Sequence, residues 1–192
     1  YKELPKRRLV GLASSALVAG TPQKDYLASL GMPIDRIFLG YDIVDNAHFA
    51  RGADAARQRS DELRAELALP RPFFLASARF LAMKNLFRLL EAFARYRAQA
   101  GAAAWDLVLL GDGELHSALL RHRTALALEG SVHFPGYKQY DDLPAWYGLA
   151  SAFVLPSTSE TWGLVVNEAM AAGLPVLVSR RCGCAADLVT EG

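Results

Sequence analysis

The chain has 192 residues, enough for one domain and a remainder at roughly 150 residues per domain. Apolar residues make up 52% and charged residues 21%, which excludes a disordered chain. Lys and Arg number 21 against 20 Asp and Glu, so a net charge of +1 supplies no global field for nucleic acid or an anionic membrane, and no apolar run approaches the roughly 18 residues of a membrane span.

In chain order, residues 1–45 read as a short α/β stretch. Leu17, Val18 and Ala19 form a brief apolar run. Thr21 and Pro22 read as a helix start, with the hydroxyl at N-cap and proline at N1; Gly31 ends that helix. Ile37, Phe38 and Leu39 are a short strand. This is too little for a core of its own and is expected to be the remnant of a domain. Residues 46–72 read as a connector, with one amphipathic helix over 54–69 that buries Leu63, Leu67 and Leu69 and ends at Pro70.

From residue 73 the pattern becomes regular. Strands are predicted over 73–78, 106–110, 132–134, 152–155 and 176–178. Helices lie between them: one around Leu86, Leu90 and Phe93, one around Leu115 and Leu119, one from Asp141 to about Ala150, and one over 163–172 closed by Gly173. Strands alternating with helices predict an α/β fold: a Rossmann-like parallel sheet with helices on both faces. The strands are continuous apolar runs, as a sheet covered on both faces requires.

In an open parallel sheet, ligands bind beyond the carboxyl ends of the strands. Arg79 and Lys84 follow the first of these strands, and Gly111-Asp112-Gly113 the second. Gly136, Tyr137 and Lys138 follow the third, and residues 156–163, with Glu160 and Trp162, the fourth. The helix opened by Gly163, Leu164 and Val165 offers unpaired amides and a partial positive charge, which suits phosphate. Arg79 and Lys84 add full charges, so a diphosphate fits the set. Glu160 and Glu168 lie about 12 Å apart along the chain at about 1.5 Å per residue. That is too far for a carboxylate dyad and suits contacts with two ends of an extended ligand. Each residue also has a plain reading: a solvated charge, a turn glycine, a capping carboxylate, a core tryptophan. Their convergence on one sheet edge favours function.

Cys182 and Cys184 lack a partner pair and His48, His116, His122 and His133 lack ligand spacing, so no metal site is expected. The cysteines form no disulfide framework, which fits a reducing compartment. The basic start Lys2, Lys6, Arg7 and Arg8 precedes only a broken apolar stretch, unlike a signal peptide. A cytoplasmic location is expected, with peripheral association at the membrane face left open. The opening at Tyr1 and the end soon after an apolar run lead us to expect a piece of a longer protein.

Residues 159–176, with Glu160 and Glu168 as Glu-x7-Glu, resemble the signature of the family 4 retaining glycosyltransferases, which have the two-Rossmann-domain GT-B architecture. Arg79 and Lys84 match that family's phosphate-binding pair, Gly111 and Gly113 its Gly-x-Gly loop, and Phe134-Pro135-Gly136 its strand end. The resemblance implies that residues 73–192 hold a nucleoside-diphosphate sugar, with no cofactor and no metal. Glu168 would bind the ribose and Glu160 sit beside the sugar ring. Arg79 and Lys84 would neutralise the leaving diphosphate, and Gly136, Tyr137 and Lys138 lie by the base. A hexosyl group would pass to an acceptor hydroxyl on a glycan, lipid or small molecule, completed by an N-terminal domain. An epimerase or phosphorylase on the same scaffold, or a non-catalytic nucleotide-binding module, remains an alternative.

Overall fold

The computed structural model describes residues 3–70 and 72–190. After helix α1 (Glu3–Val10), strands β1 (Ala16–Val18) and β2 (Ile37–Leu39) pair in parallel around helix α2 (Thr21–Ser29). Thr21 does not cap α2 with its own side chain. Gly20 is the N-cap residue, and the Asp187 carboxylate accepts hydrogen bonds from the Thr21 amide (2.9 Å) and hydroxyl. A carboxylate at this position also meets the positive end of the helix. Such a cap comes from 166 positions away, which local sequence could not reveal.

Residues 46–72 hold two helices rather than the one predicted. Helix α3 (Asn46–Gln58) starts eight residues earlier than expected, because Asp45 accepts from the His48 amide at 2.9 Å. It ends at Arg59, where φ −110° and ψ 28° leave the helical region. Helix α4 (Ser60–Glu66) begins anew with Asp61 and Glu62 in its first turn, which favours an N-terminus there. Helix α3 buries Phe49, Ala53 and Ala56 in the main core, while Leu63, Leu67 and Leu69 pack partly against it.

Five parallel strands follow: β3 (Phe73–Ser77), β4 (Asp106–Leu110), β5 (Val132–Gly136), β6 (Ala152–Leu155) and β7 (Val176–Val178). Their order is β5-β4-β3-β6-β7. Strand β5 continues two residues past its predicted end, so Pro135 and Gly136 belong to it. Helices α5 (Leu86–Ala100), α6 (His116–Ala125), α7 (Leu143–Leu149) and α8 (Leu164–Ala171) connect the strands, and a short α9 (Ala185–Leu188) follows β7.

Alternate residues face opposite ways. Phe73, Leu75, Val108 and Leu110 join α3, α7 and α8 in one core. Ala76, Leu107 and Leu109 join α5 and α6 in the other. The β-layer is thus covered on both faces, as its apolar runs predicted. Among the described residues no helix is long and apolar enough to cross a membrane.

Helices α3 and α7 meet closely through glycine. A Cβ on Gly148 would lie 2.6 Å from the Ala53 carbonyl oxygen, and one on Gly52 would lie 2.5 Å from the Pro144 Cβ. Backbone cannot yield as a side chain does. Gly148→Ala is therefore expected to cost about 2 kcal/mol in urea unfolding, whereas Gly130→Ala, in open space, stays within about 0.5 kcal/mol. Equal midpoints for the two variants would show that α3 and α7 do not pack this tightly.

Candidate functional site

The exits of β3 and β4 are sewn together. The Ala78 amide donates to the Leu110 carbonyl at 3.1 Å, and the Phe80 amide to the Asp112 carbonyl at 2.8 Å. Gly111 makes this possible. Its φ is +121°, and a Cβ there would lie 1.9 Å from the Ala78 carbonyl oxygen. A Cβ on Gly113 would lie 2.8 Å from the Phe80 amide nitrogen. Arg79 is thereby held at the sheet edge on a fixed backbone, exposed to solvent.

Two clefts meet at Arg79. The first, of about 370 Å³, is lined by Gly111, Asp112, Tyr137, Lys138, Tyr140 and Leu143. The second, of about 310 Å³, is lined by Asp42, Lys84, Glu160, Trp162, Gly163 and Leu164. Ser77, Ala78, Arg79 and Val165 border both, so the clefts form one groove across the carboxyl edge of the sheet. Gly113, Gly136 and Glu168 line neither.

Lys84 closes a 3-10 turn, Ala82–Lys84, after β3. Its ammonium pairs with the Glu160 carboxylate, and each side chain is only 17% exposed. Asn85, at φ +58°, turns the chain into α5, and its side-chain Nδ2 donates to the Pro156 carbonyl at 3.2 Å. The Thr158 amide donates to the Met83 carbonyl at 2.8 Å. The Lys84 turn and the loop after β6 are therefore one unit. The buried Ser157 hydroxyl lies 3.4 Å from the same Glu160 oxygen that Lys84 holds.

The cysteines support this loop from behind. Glu160 and Cys182 form a parallel bridge, and the Cys184 amide donates to the Trp162 carbonyl at 3.1 Å. Both thiols are free and buried. Burial pushes the Cys184 thiol up to about 12 and raises Cys182, so both stay protonated near neutral pH. Among the described residues no group of three or more His, Cys, Asp and Glu side chains gathers as a metal would need. Gly163 opens α8 at φ +110°, with no side-chain cap on the helix amides.

At the other end of the groove, Tyr137 is exposed and the Lys138 ammonium stands 4.9 Å over the Trp146 ring. Asp112 accepts from the Gly113 amide at 2.7 Å and pairs with His116 Nδ1 at 2.8 Å, which together hold its carboxyl below the usual range. Glu168 lies one turn beyond Val165 on the same side of α8. Its Oε2 accepts from the Tyr147 hydroxyl at 2.7 Å. Desolvation, then the Asp45 and Glu168 charges, raise the Tyr140 phenol.

Sequence reasoning missed Ser77, Asn85, Tyr140 and Tyr147. Asn85 alone carried a signal, since asparagine tolerates a left-handed backbone. Tyr147 sits in an apolar helix and reads as core, which it also is.

The chain matches the family model of glycosyl transferases group 1 over residues 59–192, and it belongs to that family. It is 35% identical over 122 residues to the lipopolysaccharide core biosynthesis glycosyltransferase LpsE of Rhizobium meliloti, covering 62% of this chain and 34% of that one. It is 30% identical over 190 residues to the D-inositol 3-phosphate glycosyltransferase of Xylanimonas cellulosilytica, covering 91% and 44%. The fold matches that of HepE from Anabaena, solved in complex with UDP, with a TM-score of 0.80 at 21% identity, over 100% of this chain and 52% of that one. The chain thus spans less than half of those two relatives and about half of HepE, and shares the GT-B type of Rossmann-like fold.

Burial raises the Glu168 carboxyl above its ordinary value of 4.5, against the opposing Tyr147 hydrogen bond. Below pH 4.5 it is protonated in both folded and unfolded chains. As pH rises, the unfolded chain loses this proton first, so the folded state holds more protons and loses stability. Glu168→Gln removes that loss. The Tm of Glu168→Gln relative to wild type is expected to rise between pH 4 and pH 7 in calorimetric scans. A constant difference would show a carboxyl titrating normally.

Proposed function

We propose that the groove takes a nucleoside-diphosphate sugar, and that the enzyme containing this chain moves its hexosyl group to an acceptor hydroxyl with retention at the anomeric carbon. The observation that carries this reading is the convergence of Arg79, Lys84 and the uncapped α8 amides on one groove beside Glu160. HepE, solved with UDP, shares the fold and supports a nucleotide ligand.

The diphosphate belongs where the clefts meet. Arg79 supplies a planar fork of donors and Lys84 a compact charge. Glu160 occupies one face of the Lys84 ammonium, which has three protons to give, so pairing and phosphate contact are compatible. The Glu160 carboxylate is held by Lys84 through one oxygen, Oε2, which leaves the other for a hydroxyl of the sugar. The nucleoside extends into the first cleft, past Gly111 toward Tyr137 and Lys138, with Glu168 at the ribose.

As the glycosidic bond breaks, negative charge grows on the departing diphosphate. Donors already aimed there stabilise that charge without reorganising. Arg79 and the α8 amides stand on backbone fixed by Gly111 and Gly163, which meets this condition. The donor is held by protein charges alone in this reading. The acceptor is a hydroxyl-bearing molecule met at the open side of the second cleft. Peripheral work at the cytoplasmic membrane face is compatible with such an acceptor.

In the enzyme spanning both halves, Lys84→Ala is expected to lower kcat by about 10²–10³ while the fold is retained by circular dichroism. Calorimetry of the present chain should show nucleoside diphosphate binding that is undiminished by EDTA. Unchanged turnover in Lys84→Ala would remove this residue from the mechanism, and absence of nucleotide binding would sink the donor reading.

A further inference from the structure

Glu168 is not held by the helix that carries it. Its Oε2 accepts the Tyr147 hydroxyl proton at 2.7 Å. One side-chain hydrogen bond therefore ties α7 to α8. Such a bond to a charged group is electrostatically stronger in a low-dielectric interior than in water.

The donor of this bond cannot swing. Tyr147 is fully buried, with its ring centroid 5.7 Å from those of both Phe49 and Phe153. A long Glu side chain on a half-buried surface otherwise samples several rotamers, at an entropic cost to any ligand that needs one of them. Here that cost is met on folding. Among the described residues Oε1 of Glu168 has no hydrogen-bond partner, and Tyr147 is the only side chain bonded to this carboxylate.

We propose that Tyr147 is a positioning residue: its buried phenol fixes the Glu168 carboxylate so that Oε1 is presented to the ribose diol of the donor nucleotide. This rests on the nucleotide reading above and deepens it. It assigns a role in nucleotide selection to a residue that reads as plain core.

The test is calorimetry on the full chain. UDP, GDP and ADP are titrated first, and the tightest is compared with its 2′,3′-dideoxy analogue. Wild type is expected to prefer the ribonucleotide about tenfold, the weight of a hydrogen bond to a charged group. Tyr147→Phe should reduce that ratio to about twofold, with affinity for the dideoxy analogue little changed. Glu168→Gln should erase the ratio too, and the double variant should lose nothing further.

A merely structural tyrosine would behave differently. Tyr147→Phe would then weaken both nucleotides alike and keep the tenfold ratio, which would overturn the proposal while leaving the donor reading intact. A wild-type chain that binds nucleotide with no ribose preference would remove Glu168 from the ribose and the proposal with it. No binding of any nucleotide would sink the donor reading first. Should Tyr147→Phe fail to fold, Tyr147→Met, which keeps apolar bulk without the hydroxyl, reads the same ratio. It is expected to bring the ratio to about twofold, and a full ratio there would equally overturn the role.

Discussion

The groove depends on how closely the exits of β3 and β4 approach one another. Parallel neighbours end at the same edge, so their following loops must share little space. Gly111 resolves the crowding by bringing its backbone to the Ala78 carbonyl where a Cβ would collide. The hydrogen bonds from Ala78 and Phe80 then fix the backbone on either side of Arg79. The Arg79 cation is thus carried on fixed backbone rather than on a free loop. The same edge receives Lys84, the loop after β6 and the start of α8. A groove for an anion follows from sheet geometry before any particular ligand is considered.

Support comes in layers behind this edge. The Lys84 turn is bonded to the loop after β6, and that loop is bridged to the segment around Cys182. The buried thiols are packing groups, protonated and out of solvent. Trp162 lies under the loop, where its ring also receives Gly20 from the smaller β1–β2 unit. The Asp187 cap on α2 joins the two units at the same place. The seam between them therefore borders the second cleft, where the acceptor is proposed to meet the donor.

Much of the fold was legible in the sequence, for identifiable reasons. The strands of the main sheet are buried on both faces, so each reads as an unbroken apolar run. Helix α8 carries its own stop in Gly173, at φ +77°. Legibility failed where a distant partner decided the outcome. The break at Arg59 lies inside one continuous amphipathic pattern, which Leu63 and Leu67 prolong past the bend. Helix α9 has only four residues, too few for periodicity to show.

The candidate site divides in the same way. Sequence alone determined which residues stand at the carboxyl edge, because strand ends and the loops after them are local facts. Arg79, Lys84, Gly111, Glu160 and Gly163 follow from that reasoning, and so does the charge they offer. Tertiary structure alone decided how they are held: Lys84 against Glu160, Asn85 against Pro156, and Glu168 on Tyr147. These pairings join residues from separate turns, loops and helices, up to 76 positions apart. Their geometry exists only after the sheet has packed, so no local pattern of residues can encode it.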